Sequence, residues 1–143
     1  MTFPPDVETP PGDLVWGIRR AFVSYVEHVG GTIQVVAPAT PTGEGLFGFP
    51  RLTTTESGEH FSGLVVFSAH GGALVLRIGN PSVEWDDVRG AMLIVDAPSG
   101  HPATRVPIAT LGADGSAVLT REGTELFDFQ YPEGTPLDPV TFT

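Results

Sequence analysis

Phe67-Ser68-Ala69-His70-Gly71-Gly72-Ala73-Leu74-Val75-Leu76-Arg77-Ile78-Gly79-Asn80-Pro81 is the stretch on which the fold turns. An apolar run reaches His70, and the glycine pair behind it permits a tight reversal. Ala73–Gly79 reads as the returning strand, and Asn80-Pro81 stops it. The segment therefore predicts a β-hairpin with a histidine where the first strand meets the turn.

Upstream, His60–His70 alternates with period two and predicts one continuous strand. Phe61, Val65 and Phe67 share one face; His60, Ser62 and Ser68 share the other. Leu64 and Val66 make the second face apolar in part, so the strand is expected to be covered on both sides. Alternation also directs His70 away from the Phe67 face. A bulge near Gly71-Gly72 is then needed to turn it toward a partner on that face.

Further upstream the period changes. Asp13 reads as an N-cap, and Leu14 to His28 as a helix closed by Gly30-Gly31. Val15, Ile18, Phe22, Tyr25, Val26 and Val29 form its apolar stripe. Thr32–Ala37 and Leu46–Pro50 read as strands, Pro38–Gly45 as a loop, and Arg51–Glu59 as a polar connection. Downstream, strands are expected over Ser82–Asp86, Ala91–Asp96, Thr104–Leu111 and Val140–Phe142. Thr120 is placed to cap a short helix over Arg121–Asp128. Pro4, Pro5, Pro10 and Pro11 predict a flexible N-terminal segment over 1–12. Residues 13–143 then form a single domain: mainly β, an antiparallel β-sandwich-like arrangement with two short α-helices.

Composition narrows the function classes. With 143 residues, 41% of them hydrophobic, the chain is long enough to bury a core. Its 18 Gly and 14 Pro argue against a mostly helical fold. There is no cysteine, which excludes disulfides and thiolate metal sites. The formal charge is −10, and all seven cationic side chains are arginine, scattered along the chain. Nucleic acid is not an expected partner, because phosphate binding needs clustered positive charge. No apolar run approaches the length of a membrane span, so membrane insertion is not expected. The N-terminus has neither the basic start nor the apolar run of a signal peptide, so a cytoplasmic location is expected.

The residues that carry chemistry are few. Tyr25 lies on the buried stripe of the first helix and His70 at the hairpin turn. A tyrosine and a histidine on separate elements are able to grip a ferric iron together. By spacing alone, Tyr25 reads equally as a core tyrosine and His70 as an ordinary hairpin residue. Glu84, Asp86 and Asp87 cluster at a strand end, where three acids are usually just solvated. Neither Gly-x-Ser-x-Gly nor His-Glu-x-x-His nor a phosphate-cradling glycine loop occurs.

Three pieces in order resemble one known family. They are Trp16-Gly17 with Phe22 and Tyr25; then Phe61, Gly63, Val65, Phe67, His70, Gly72, Leu74 and Asn80-Pro81; then Tyr131 to Thr143, which contains Gly134-Thr135-Pro136-Leu137-Asp138-Pro139. Together they are similar to the HtaA domain family, the haem-transport-associated domains of actinobacteria. Ala69 stands where that family usually has a glycine.

The resemblance implies a mostly β fold with two helices and a haem pocket. It implies that Tyr25 is the axial ligand of ferric haem and that His70 supports it. Tyrosinate is a known axial haem ligand, and a supporting hydrogen bond of this kind typically changes metal affinity about 10–100-fold. Phe22, Phe127, Phe129 and Tyr131 flank the matching helices and are candidates for stacking on the porphyrin. Propionates call for arginine or backbone N–H groups, and Arg19 and Arg20 are near in sequence. The implied partner is haem, or another apolar small molecule; a homodimer is kept open. Members of the family are commonly at the cell surface or secreted. An enzyme on the same fold, and a structural domain without ligand, stay open as alternatives.

Overall fold

The structure, a computed structural model, describes residues 12–42, 45–96 and 105–142. The flexible segment expected over 1–12 falls, but for Gly12, outside the described residues. In chain order the elements are β1 (Leu14–Trp16), α1 (Arg20–His28), β2 (Thr32–Val36), β3 (Thr40–Pro41), β4 (Phe47–Phe49), β5 (Arg51–Thr55), β6 (Gly58–Phe61) and β7 (Leu64–Ala69). A 3-10 turn (His70–Gly72) leads to β8 (Leu74–Gly79), β9 (Ser82–Asp86), β10 (Gly90–Asp96), β11 (Arg105–Leu111) and β12 (Ala117–Leu119). The chain closes with α2 (Arg121–Leu126), β13 (Pro136–Leu137) and β14 (Val140–Phe142).

These strands form three antiparallel sheets among the described residues. Their orders are β14-β1-β4-β3, β13-β12-β11-β10-β9-β6-β5 and β2-β7-β8. The protein is mainly β with two short helices, as the sequence predicts. The hairpin predicted around Gly71-Gly72 is present: β7 and β8 pair from Leu64–Gly79 to Ala69–Leu74, and β2 flanks β7 from Thr32–Ser68 to Val36–Leu64. Alternation along β7 puts Val65, Phe67 and Ala69 inward and leaves Leu64, Val66 and Ser68 half-buried. The inward residues join one apolar core with Phe22 and Val26 of α1, Leu76 and Ile78 of β8, and Phe127 after α2.

Several local expectations are corrected. The first helix begins at Arg20, and Leu14–Trp16 is a strand. Leu14 and Trp16 are fully buried between β14 and β4, so cross-strand packing on both sides overrides the helical spacing. Asp13 therefore caps nothing; its carboxylate accepts from the Arg51 backbone N–H at 3.4 Å. The cap comes from elsewhere: Asp138 Oδ1 accepts from Arg20 N–H at 3.0 Å.

The predicted strand over His60–His70 is two strands in two sheets. It breaks at Ser62-Gly63, where Gly63 takes φ 129° and a Cβ would sit 2.7 Å from the Ala39 amide nitrogen. The polar connection over Arg51–Glu59 is a hairpin, β5 to β6, because the threonines Thr53, Thr54 and Thr55 suit an exposed edge strand. Thr120 caps α2 as expected, accepting from Gly123 N–H at 2.9 Å. That helix ends at Leu126, and Asp128 and Phe129 both take left-handed backbone, φ 53° and 58°.

Candidate functional site

Helix α1 lies over the inner face of β2 and β7. Phe22 and Val26 are its buried positions, and a Cβ on Gly31 just past the helix would run into the Ser68 carbonyl of β7. The absence of that Cβ lets the helix end approach the sheet closely. Phe22 meets Phe67 edge-on with ring centroids 5.4 Å apart and meets Phe127 at 5.3 Å. Aromatic edge contacts of this kind fix ring orientation as well as burying area. Tyr25 follows Phe22 by one helical turn, so it points from the same side of α1 but further along it. It is half-buried and packs against the rim of the core.

His70 reaches Tyr25 from the tip of the β7–β8 hairpin. The device that turns it is the 3-10 turn rather than a bulge. His70, Gly71 and Gly72 all take positive φ, at 55°, 65° and 94°. Such backbone is free for glycine and costly for a side chain that carries a Cβ, although histidine is among the residues found there more often. The imidazole Nε2 lies 2.5 Å from the Tyr25 hydroxyl oxygen, and the two ring centroids are 5.9 Å apart at a 56° tilt. Residues 45 positions apart are thereby joined by one short hydrogen bond at the surface.

That pair has a definite chemistry. A phenol donates its hydrogen to an unprotonated Nε2. A phenolate accepts from a protonated one. Histidine serves both states because each ring nitrogen is donor or acceptor by tautomer. The pair is thus an accessible oxygen donor whose proton has a partner beside it, which fits a hard cation such as ferric iron. Among the described residues no three His, Asp or Glu side chains are placed to hold a metal ion by themselves.

The four other aromatic candidates fall into two groups. Phe22 and Phe127 are fully buried, and Tyr131 is half-buried with its ring 6.4 Å from Phe22 and 5.5 Å from Phe127. These three pack on one another. Phe129 is 72% exposed. It is held out by the left-handed pair Asp128-Phe129, with Phe129 N–H donating to Thr124 at 2.9 Å and Gln130 N–H to Phe127 at 3.0 Å.

Two residues matter that spacing did not place. Arg19 lays its guanidinium over the Tyr131 ring, 4.7 Å from the centroid. Its position three residues before Phe22 was the available signal. Asp138 clamps the start of α1, and its place between Leu137 and Pro139 in the closing motif was the only hint. The acids at Glu84, Asp86 and Asp87 are structural in part. Asp86 accepts from the Val88 and Arg89 backbone N–H groups at 2.8 Å, and those bonds, Arg89 first, hold its carboxyl below the usual range.

Comparison with known proteins identifies the family and the fold. The HtaA (Htaa) family model matches residues 11–143, and the chain belongs to that family. Among solved structures, the haem-binding protein HtaB from Corynebacterium glutamicum superposes with a TM-score of 0.73 at 22% identity, covering 92% of this chain and 90% of that one. The C-terminal domain of HtaA from the same organism gives 0.65 at 21% identity over 90% and 92% of the two chains. Its N-terminal domain gives 0.64 at 21% identity over 94% and 96%. No curated protein matches the chain.

Proposed function

We propose that this chain binds ferric haem, with the Tyr25 phenolate as axial oxygen donor and His70 as the hydrogen-bond partner of that oxygen. The observation that carries the proposal is the 2.5 Å contact between Tyr25 and His70 at the surface. Family membership and the likeness to a haem-binding HtaB support it. Haem, when bound, would supply a ferric centre that favours the deprotonated phenol.

The residues of this chain do the rest. His70 Nε2 holds the phenol oxygen in one orientation and keeps a site for its proton. The packed rings of Phe22, Phe127 and Tyr131 stiffen α1 beneath Tyr25, so the oxygen is presented from a rigid base. Phe129 offers the exposed face for a flat apolar ligand: a phenyl ring left in water gains free energy when it is covered. The role is haem handling or transport, with no group assigned to catalysis.

Titration with hemin tests this directly. A visible spectrum of high-spin, oxygen-ligated type is expected for the wild type and is expected to be lost in Tyr25→Phe, which keeps the ring and removes only the oxygen. A wild-type spectrum identical to free hemin would end the haem reading. An unchanged spectrum in Tyr25→Phe would move the ligand elsewhere.

A further inference from the structure

We propose that Arg19 is the counter-charge for a carboxylate of the bound ligand, a propionate if the haem reading on which this rests is right. Its Nε is buried without a hydrogen-bond partner. Three of the chain's other arginines have a carboxylate each: Arg51 with Glu59, Arg89 with Glu122, and Arg105 with Asp96. Among the described residues no carboxylate pairs with Arg19. Arg20, Arg77 and Arg121 likewise make no ion pair among those residues, so what sets Arg19 apart is its buried, unpartnered Nε together with a guanidinium held over the Tyr131 ring.

The side chain is nonetheless held in place. Its guanidinium is stacked on Tyr131, and Tyr131 packs on Phe22 and Phe127. A planar guanidinium stacked on a ring keeps its fork of donors in one plane, and that fork matches a carboxylate. Holding it in advance lowers the ordering cost when an anion arrives. Arg19 also stands at a suitable reach from the iron ligand. Arg19 is the extended residue just before α1, and Tyr25 lies five positions beyond the helix start at Arg20, a rise of about 7.5 Å along the axis. That is comparable with the distance from the centre of a porphyrin to the end of a propionate arm. The residue that leads into α1 would then present a cation for the ligand's acid group, and the helix itself an oxygen donor for the metal.

The experiment compares hemin with its dimethyl ester, in which both carboxylates are masked, and with iron-free protoporphyrin IX, which cannot use Tyr25. Arg19→Met keeps the apolar stem and removes the charge. We expect it to weaken hemin and protoporphyrin IX by about tenfold each and to leave the ester unchanged. Arg19→Lys is expected to recover part of the loss. If wild type shows no hemin spectrum at all, the haem reading fails. If wild type binds hemin and Arg19→Met binds hemin as tightly, or loses the ester equally, the arginine inference alone is overturned. Should Arg19→Met fail to fold by circular dichroism, the wild-type preference for hemin over the ester decides, and equal affinities overturn the inference.

Discussion

His70 combines a functional side chain with an unfavourable backbone, and the two can be separated by comparing glycine with alanine at that position. Both variants remove the imidazole, so both lose the bond to Tyr25. A hydrogen bond of this kind contributes about 1 kcal/mol net. They differ in what they do to the backbone. At φ 55° alanine keeps the clash between its Cβ and the chain, a cost of about 1–2 kcal/mol, and glycine relieves it. A Cβ at the neighbouring Gly71 would meet nothing within 4 Å, so the turn tip is open and packing does not obscure the comparison. His70→Gly should therefore be more stable than His70→Ala by about 1 kcal/mol, or about 4 °C in Tm for a chain of this size. Against wild type, the glycine variant should come out near neutral. Hemin affinity should fall alike in both, by about 10–100-fold, since the lost hydrogen bond is the same. Urea or thermal unfolding of the ligand-free proteins and a hemin titration read the two effects independently. Equal stabilities would refute the argument from backbone strain. Undiminished hemin binding in both would refute the supporting role of the imidazole.

Two further predictions concern charge. Glu59 is almost fully buried and is held by Arg51 and by Thr54, whose hydroxyl is 2.7 Å away. Arg51→Met strips the carboxylate of its cation and should cost about 3 kcal/mol in a urea midpoint analysis, with part recovered by adding Glu59→Gln; a loss under about 1 kcal/mol would mean that water reaches the site. Glu122 has its acidity raised first by the hydrogen bond from Arg89, so its carboxyl lies below the ordinary glutamate value when folded. Its contribution is then present above the unfolded value and disappears as pH falls through the folded one. Glu122→Gln should flatten the loss of stability on acidification between about pH 6 and 3. The difference should stay under about 1 kcal/mol, because both partners are well exposed, and should shrink in salt.

How much was legible in the sequence follows from how local each signal was. The β7–β8 hairpin and the Thr120 cap were readable because a glycine pair and a threonine decide their own neighbourhoods. The boundary at Ser62-Gly63 was not, because Phe61, Val65 and Phe67 keep the same alternation across the break. The strand switches sheets there, where Ala39 packs against Gly63 and Asn80 bonds both backbone groups of that glycine. The start of α1 was misplaced for the same reason. Val15 fits the helical stripe, but its neighbours Leu14 and Trp16 are the residues buried between β4 and β14, and that pairing chooses the strand. The Tyr25–His70 contact was unreadable from spacing, since nothing in alternation predicts three successive positive φ values.

The motif pieces gain a physical meaning once their contacts are known. Trp16 Nε1 donates to the Asp138 carbonyl at 2.7 Å, and Asp138 N–H donates back to Ile18 at 2.9 Å. A Cβ on Gly17 would run into the Asp138 carboxylate. The opening Trp16-Gly17 and the closing Leu137-Asp138-Pro139 are therefore one structure, 122 residues apart in sequence at their shared bond. That structure sets the first turn of α1 through the Asp138 cap on Arg20. A rigid helix transmits the setting: moving its start by one residue would rotate Tyr25 by about 100° about the axis and take its oxygen away from His70. Residues with no chemistry of their own thus fix where the phenol points, because the one short bond between Tyr25 and His70 leaves no slack for a helix that begins elsewhere.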